Sequence, residues 1–294
     1  MKFISPPVSP AARVLFAAMA LSASAHAVTT LENYFNFTSY GTVTAGNTVA
    51  AVGNTGSSAT VKATGTTLTS SGLAITAGSL GASTGVTMAS TTLIGFTGDF
   101  TLQMWYTTPG TVAGNTALFG GTSSATVDGS MVGDQGFFAA YSNTNPRFVR
   151  PIVGNNTQFG VAGAPPAGTG GTGSTLYDYV ITYSSLTSTF TAYLNGTQVG
   201  NSFSVPFFGG LDDLTNGFAI GGVQNPAFND NAAGVNITSF MMYSGTLTAG
   251  EVSSIHAFGS TPTLNQLGSV VAVPEPSALA LLGLGLLGGL RRRR

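Results

Sequence analysis

Tyr177-Asp178-Tyr179-Val180-Ile181-Thr182-Tyr183, a polar turn at Ser184–Ser188, and Phe190-Thr191-Ala192-Tyr193-Leu194-Asn195-Gly196 form the stretch on which the fold is decided. Tyr177, Tyr179, Ile181 and Tyr183 recur at period two, and Phe190, Ala192 and Leu194 resume that period after the turn. A spacing of two puts these side chains on one face of a sheet, so the segment reads as a hairpin. Asn195-Gly196 then supplies the pair that tolerates positive φ at both central positions of a type I′ turn, ahead of Thr197-Gln198-Val199.

The same alternation extends outward. Phe100, Leu102 and Met104 alternate with Thr101, Gln103 and Trp105, which points Trp105 away from the apolar trio, either under a loop or into an exposed groove. Further strands are expected at Leu31–Phe37, Leu73–Ala77, Thr116–Phe119, Gly136–Tyr141, Phe148–Val153, Phe218–Gly221 and Ile237–Tyr243. A single helix is expected. Thr248 followed by Ala249-Gly250-Glu251 is a capping-box pattern, with Val252, Ile255 and Phe258 at helical spacing behind it. Many short strands without alternating helices predict an all-β chain of two antiparallel sheets packed face to face. No fixed period of 20 to 50 residues is present, which counts against a solenoid or propeller.

The two ends read as address segments. Lys2 and Arg13 precede the apolar stretch Val14–Leu21, and Ala25 and Ala27 stand at minus three and minus one. Residues 1–27 are therefore expected to be a secretory signal peptide cleaved after Ala27, with prolines 6, 7 and 10 lengthening its basic region. At the other end, Pro274-Glu275-Pro276 is extended because proline lacks an amide donor and biases its predecessor away from helix. An apolar run from Ala278 to Leu290 and the arginines Arg291, Arg292, Arg293 and Arg294 follow. This three-part tail, residues 274–294, resembles the PEP-CTERM sorting signal of Gram-negative bacteria, which an exosortase processes at or near the Pro-Glu-Pro box. The resemblance implies an exosortase partner and a short transmembrane helix holding the protein at the inner membrane before processing, arginines inside. The run from Ser277 to Leu290 is shorter than the roughly 17–25 residues of a spanning helix, a shortfall that glycines and snorkelling arginines are expected to offset. An ordinary anchor without processing is the alternative.

Between Val28 and Val273 the chain carries Lys62, Arg147 and Arg150 against nine acids, a net charge of −6. No clustered basic face exists to replace counterions on phosphates, so nucleic acid is excluded as a partner. Cysteine is absent. A domain of more than two hundred residues can bury enough core to fold in an oxidising compartment without disulfides.

The hairpin at 177–196 resembles the signature hairpin of laminin G-like, concanavalin A-like jelly-roll domains, and other pieces fall in that family's order. Asn33-Tyr34-Phe35-Asn36-Phe37 resembles its opening strand, and Phe100-Thr101-Leu102-Gln103-Met104-Trp105 its tryptophan strand. Phe218-Ala219-Ile220-Gly221-Gly222 resembles its Ile-Gly strand, and Ile237–Tyr243 with Leu247–Ile255 its closing strand and helix. Two positions depart: Tyr177-Asp178 stands where the family has Trp-His, and Thr238 where it often has Asp. The resemblance implies a jelly roll over 28–261, joined by a linker without fixed structure at 262–273 to the tail.

Chemistry is sparse. A retaining glucanase of this fold needs paired carboxylates about 5–5.5 Å apart on one sheet face. Before the tail the mature chain has only Glu32 and Glu251 as glutamates, neither with an acidic neighbour at strand spacing, and Asp212-Asp213 would face opposite ways. His256 is the one mature histidine and reads as a surface or capping residue rather than a base, which leaves no ligand set for zinc. No cofactor is expected unless Asp128 through Asp134, or Asn229-Asp230-Asn231, offers oxygens to calcium, as laminin G-like relatives often do; turn formation explains the same residues. Gly168–Gly173 lacks the lysine and helix of a phosphate loop. The sequence thus predicts a non-enzymatic protein, structural or carbohydrate-binding, exported to the envelope, cell surface or extracellular matrix with polysaccharide as a partner. The alternatives are a polysaccharide-active enzyme with an unrecognised site and a calcium-dependent adhesin.

Overall fold

The computed structural model describes residues 29–62, 65–76, 84–93, 96–107, 115–122, 135–142, 150–153, 157–158, 175–204, 210–211, 214, 217–222 and 234–272. The strands are β1 (Thr30–Asn36), β2 (Thr48–Ala50), β3 (Ser58–Val61), β4 (Thr66–Thr69), β5 (Gly72–Ile75), β6 (Val86–Met88), β7 (Phe100–Thr107) and β8 (Asn115–Thr122). They continue with β9 (Gln135–Ser142), β10 (Arg150–Val153), β11 (Thr157–Gln158), β12 (Leu176–Ser184), β13 (Thr189–Leu194), β14 (Thr197–Ser204), β15 (Phe218–Ile220) and β16 (Asn236–Ser244). Two helices close the fold, α1 (Ala249–Ala257) and α2 (Leu264–Gly268).

One sheet runs β14-β13-β12-β7-β16-β5-β4, with β1 also paired to β16, and the other runs β11-β10-β9-β8-β15-β6-β3-β2. Every named strand pair is antiparallel. The architecture is an antiparallel sandwich. Phe119 and Phe218 of the second sheet meet Phe240 of the first at ring-centroid distances of 5.2 and 5.9 Å from Phe240, and Phe100, Tyr183 and Phe190 form a second aromatic group beside them. All of these are fully buried or nearly so, which is the area that drives the two sheets together.

The central strands of the first sheet, β7, β12 and β16, are buried on both faces. In β7 every residue from Phe100 to Tyr106 is buried: Phe100, Leu102, Met104 and Tyr106 join the inter-sheet core, while Trp105 joins a second core roofed by α1 and α2. A bulge between Ile237 and Ser239 lets Ile237 and Phe240, three apart, both face the inter-sheet core, which strict period-two geometry would forbid. A matching shift between Leu31 and Asn33 puts Leu31 and Tyr34 together under the helices.

α1 forms as its cap pattern predicts: Thr248 accepts from the Glu251 amide, and Glu251 accepts in return from the Thr248 amide and hydroxyl at 2.7 and 2.8 Å. Val252 and Ile255 face the sheet. The segment after it differs from its expected lack of structure. A second capping box, Thr263 with Gln266, starts α2; Leu267 and Val271 are buried, and Ala272 bridges in parallel to Thr30.

No helix among the described residues is long and apolar enough to cross a membrane. This corrects the expected C-terminal transmembrane helix, and with it the inner membrane as a partner and membrane anchorage before processing. The physical reason is visible in the tail's length: Ala278–Leu290 as a helix rises about 20 Å against a hydrocarbon core of about 30 Å. The tail itself, with Pro274, Glu275, Pro276 and the four arginines, lies outside the described residues, as do Ala25 and Ala27.

Candidate functional site

The described carboxylates sort quickly. Glu251 is consumed in the α1 cap, and Glu32 is buried, accepting from Ser244 Oγ at 2.7 Å and Asn54 Nδ2 at 2.9 Å. Asp99 ties the Ser185 amide and hydroxyl at the hairpin tip, at 2.6 and 2.7 Å. Asp128, Asp134, Asp212, Asp213 and Asp230 lie outside the described residues. Among the described residues no group of three or more His, Asp or Glu side chains could hold a metal ion, and the calcium candidates Asp128 through Asp134 and Asn229-Asp230-Asn231 lie outside them.

Asp178 is different. It points outward from β12 towards the helices, and none of its surface reaches solvent. Gln103 Nε2, from β7, donates to its Oδ1 at 2.9 Å, and His256 Nδ1, from the last turn of α1, lies 3.0 Å from its Oδ2. Gln103 Oε1 in turn accepts from the Tyr243 hydroxyl of β16 at 3.3 Å. Trp105 lies flat on the imidazole, with ring centroids 5.2 Å apart and planes 2° apart. Trp105 is therefore neither under a loop nor in a groove: its partner is the C-terminal turn of α1.

The turn between β13 and β14 holds the other side. Asn195 has φ 50° and Gly196 φ 76°, as a type I′ turn requires. The Asn195 amide donates to the Asp178 carbonyl at 2.8 Å, and Asn195 Oδ1 accepts from the Asp178 amide at 2.9 Å. A Cβ on Gly196 would stand 3.1 Å from His256 Cβ, Cγ and Cδ2, so glycine is needed for clearance as well as for φ.

The electrostatics follow from burial. Desolvation pushes the Asp178 carboxyl above the ordinary aspartate range, opposed by its hydrogen bonds from His256 and Gln103. The hydrogen bond to Asp178 raises the His256 imidazole, and partial burial opposes that rise. Burial also lifts the Tyr243 phenol well above its usual value, with the Asp178 charge adding to the rise, so Tyr243 keeps the proton it donates to Gln103. The Trp105 indole nitrogen and the Tyr34 hydroxyl, both buried in this layer, have no hydrogen-bond partner among the described residues.

A carboxylate on Nδ1 fixes the imidazole tautomer and leaves Nε2, which bonds no described residue, to exchange protons. His256, expected from sequence to be a surface or capping histidine, sits partly exposed in the last turn of α1 with its Nδ1 on Asp178 and its ring on Trp105. Among the described residues no nucleophile triad is assembled, since Asp178 is the only one that bonds the His256 imidazole. Where the resemblance expects histidine on the hairpin strand, this chain has Asp178, and the histidine arrives from α1 instead. One signal for Asp178 was legible: it is the single charge in the otherwise apolar, aromatic and threonine run 177–183. Its partner, 78 positions away, was not.

A sequence profile described as the concanavalin A-like lectin/glucanases superfamily matches residues 80–253, and the PEP-CTERM protein-sorting motif matches residues 272–294. The first match spans more than half of the chain, which belongs to that superfamily. No curated protein sequence matches it. Among solved structures, Trypanosoma rangeli sialidase aligns with a TM-score of 0.53 at 16% identity over 84% of this chain and 38% of the sialidase. The same enzyme with 2,3-difluorosialic acid aligns at 0.53 and 17% identity over 78% and 33%. The chain thus corresponds to little more than a third of those chains, and the likeness is one of fold. It overturns the expectation of a non-enzymatic protein: a sandwich of this kind forms part of glycosidase chains, so the class gives no ground for excluding catalysis. The sorting motif places the protein on a bacterial export route served by an exosortase.

Proposed function

We propose that the protein is a polysaccharide-active protein of the bacterial exterior, with His256 as its candidate for proton transfer and Asp178 as the residue that orients it. The observation that carries this reading is the superfamily match over residues 80–253, a family defined by lectins and glucanases. The His256–Asp178 pair supports it by offering a histidine whose tautomer is fixed and whose outer nitrogen bonds no described residue. Charge narrows the substrate class. The carboxylate of a sialic acid is recognised by bidentate arginine, and between Val28 and Val273 this chain has only Arg147 and Arg150, in a segment of net charge −6. Neutral polysaccharide is the class assigned.

Delivery would use cleavage after Ala27, then recognition of Pro274-Glu275-Pro276 by the exosortase, with Arg291–Arg294 completing the signal. A panel of neutral and sialylated glycans, read for binding on an array and for released reducing ends, tests the reading. Turnover of a neutral polysaccharide by the wild type, lost in His256→Gln with binding retained, is expected. Binding without turnover contradicts the role of His256, and neither binding nor turnover contradicts the polysaccharide reading.

A further inference from the structure

The fold joins the residues that lie next to its two address segments. Thr29, two residues past Ala27, is buried, and its hydroxyl donates to the Thr246 carbonyl at 3.4 Å. The Ala272 amide donates to the Thr29 carbonyl at 3.0 Å, and the Leu31 amide donates to the Ala272 carbonyl at 3.0 Å. Behind Ala272, the Val271 side chain and the α2 residue Leu267 are buried against β1 and the outer face of its sheet. Only Val273 separates this clamp from Pro274.

A processing enzyme takes its substrate as an extended peptide and needs several residues on each side of the bond it cuts, because main-chain hydrogen bonds supply most of the grip. Residues upstream of the Pro-Glu-Pro box are already engaged in this way by the domain's own first strand. We infer that the Thr29–Leu31 clamp on Ala272 is a brake on sorting: residues 270–272 must come off β1 before the exosortase can seat the signal. Processing then proceeds through local opening of the C-terminal segment, at a rate set by how often the clamp is released. Because Thr29 begins one residue after Val28, the brake also requires the N-terminal leader to be cut no later than Ala27–Val28, so an overrun at the front would free the tail at the back. This inference is independent of what the protein does to polysaccharide.

The test is a pulse-chase of the full chain in a host with its exosortase, with an exosortase-deleted host as background. Ala272→Pro removes the amide that bonds Thr29, at an exposed position, and should speed loss of the tail roughly fivefold, the worth of about one net hydrogen bond. A second variant inserts Gly-Ser-Gly-Ser between Ala272 and Val273, leaving the clamp closed but giving the enzyme free chain; it should speed processing at least as much, with an unchanged melting temperature. Wild-type rates in the insertion variant overturn the brake whatever Ala272→Pro does. Absence of processing in every form overturns it as well.

Discussion

Between the two sheets the protein packs aromatic rings on aromatic rings, whereas beneath α1 it packs them around a buried carboxylate. The first region is built from Phe119, Phe218 and Phe240 with their neighbours, and contributes area alone. The second contains Trp105, Val180, Met241 and Tyr243, but threads Gln103, Asp178 and His256 through them. Burying a charge costs several kcal/mol before partners offset it, and replacing such a pair by apolar residues is often neutral or stabilising. The inner region therefore accounts for why the chain folds. The outer one accounts for where a particular proton, ring and helix end are held.

That contrast can be broken first in the inner core. Phe240→Ala removes the ring shared by Phe119 and Phe218 and should cost about 3–5 kcal/mol in urea unfolding. In the outer layer His256→Ala should cost less, about 2 kcal/mol, because Asp178 keeps its bond from Gln103 and can take up a proton; a pair with charges fixed in place would lose more. A loss in His256→Ala as large as that in Phe240→Ala would erase the distinction. Gly196→Ala should cost about 1–2 kcal/mol through its left-handed φ, and its Cβ should push the imidazole off Trp105, read as a change in Trp105 fluorescence. Thr248→Ala, which removes only the α1 cap, should cost about 1 kcal/mol and leave that fluorescence unchanged until unfolding.

The outer layer should also titrate where the inner one does not. A histidine raised in the folded state contributes stability that is complete below its unfolded pKa and is lost as pH climbs through the folded value. A carboxyl raised by burial has the same sign, since the folded protein holds a proton that the unfolded chain has released. The advantage of wild type over His256→Gln should therefore shrink as pH climbs from the ordinary histidine value of about 6.5 through the raised folded value, while the penalty of Phe240→Ala stays constant. An advantage that grows with pH would reverse the assignment.

The inner region was legible in the sequence because its rule is local. Period two in 100–104, 177–183 and 190–194 marks the inward faces of β7, β12 and β13 without knowledge of their partners. The Thr- and Ala-rich strands β2, β3, β4 and β6 escaped because three or four residues give too little alternation to read. The helix α2 hid in a segment resembling a linker, although its Thr263–Gln266 capping box was there to be found. At the candidate site, Asp178 and the Asn195-Gly196 turn were visible as local anomalies. The meeting of Asp178, Gln103, His256 and Trp105 depends on strand register and on where α1 lands, and no spacing in the chain encodes it.

The most direct test of the held proton is an NMR titration of His256 in the wild type and in Asp178→Asn, with the near-parallel Trp105 ring as a check that the fold persists. In the wild type the imidazole should titrate above the ordinary histidine range, and in Asp178→Asn it should fall back, because the amide no longer stabilises the charged ring. Identical titration of the two proteins would show that Asp178 does not set the protonation of His256.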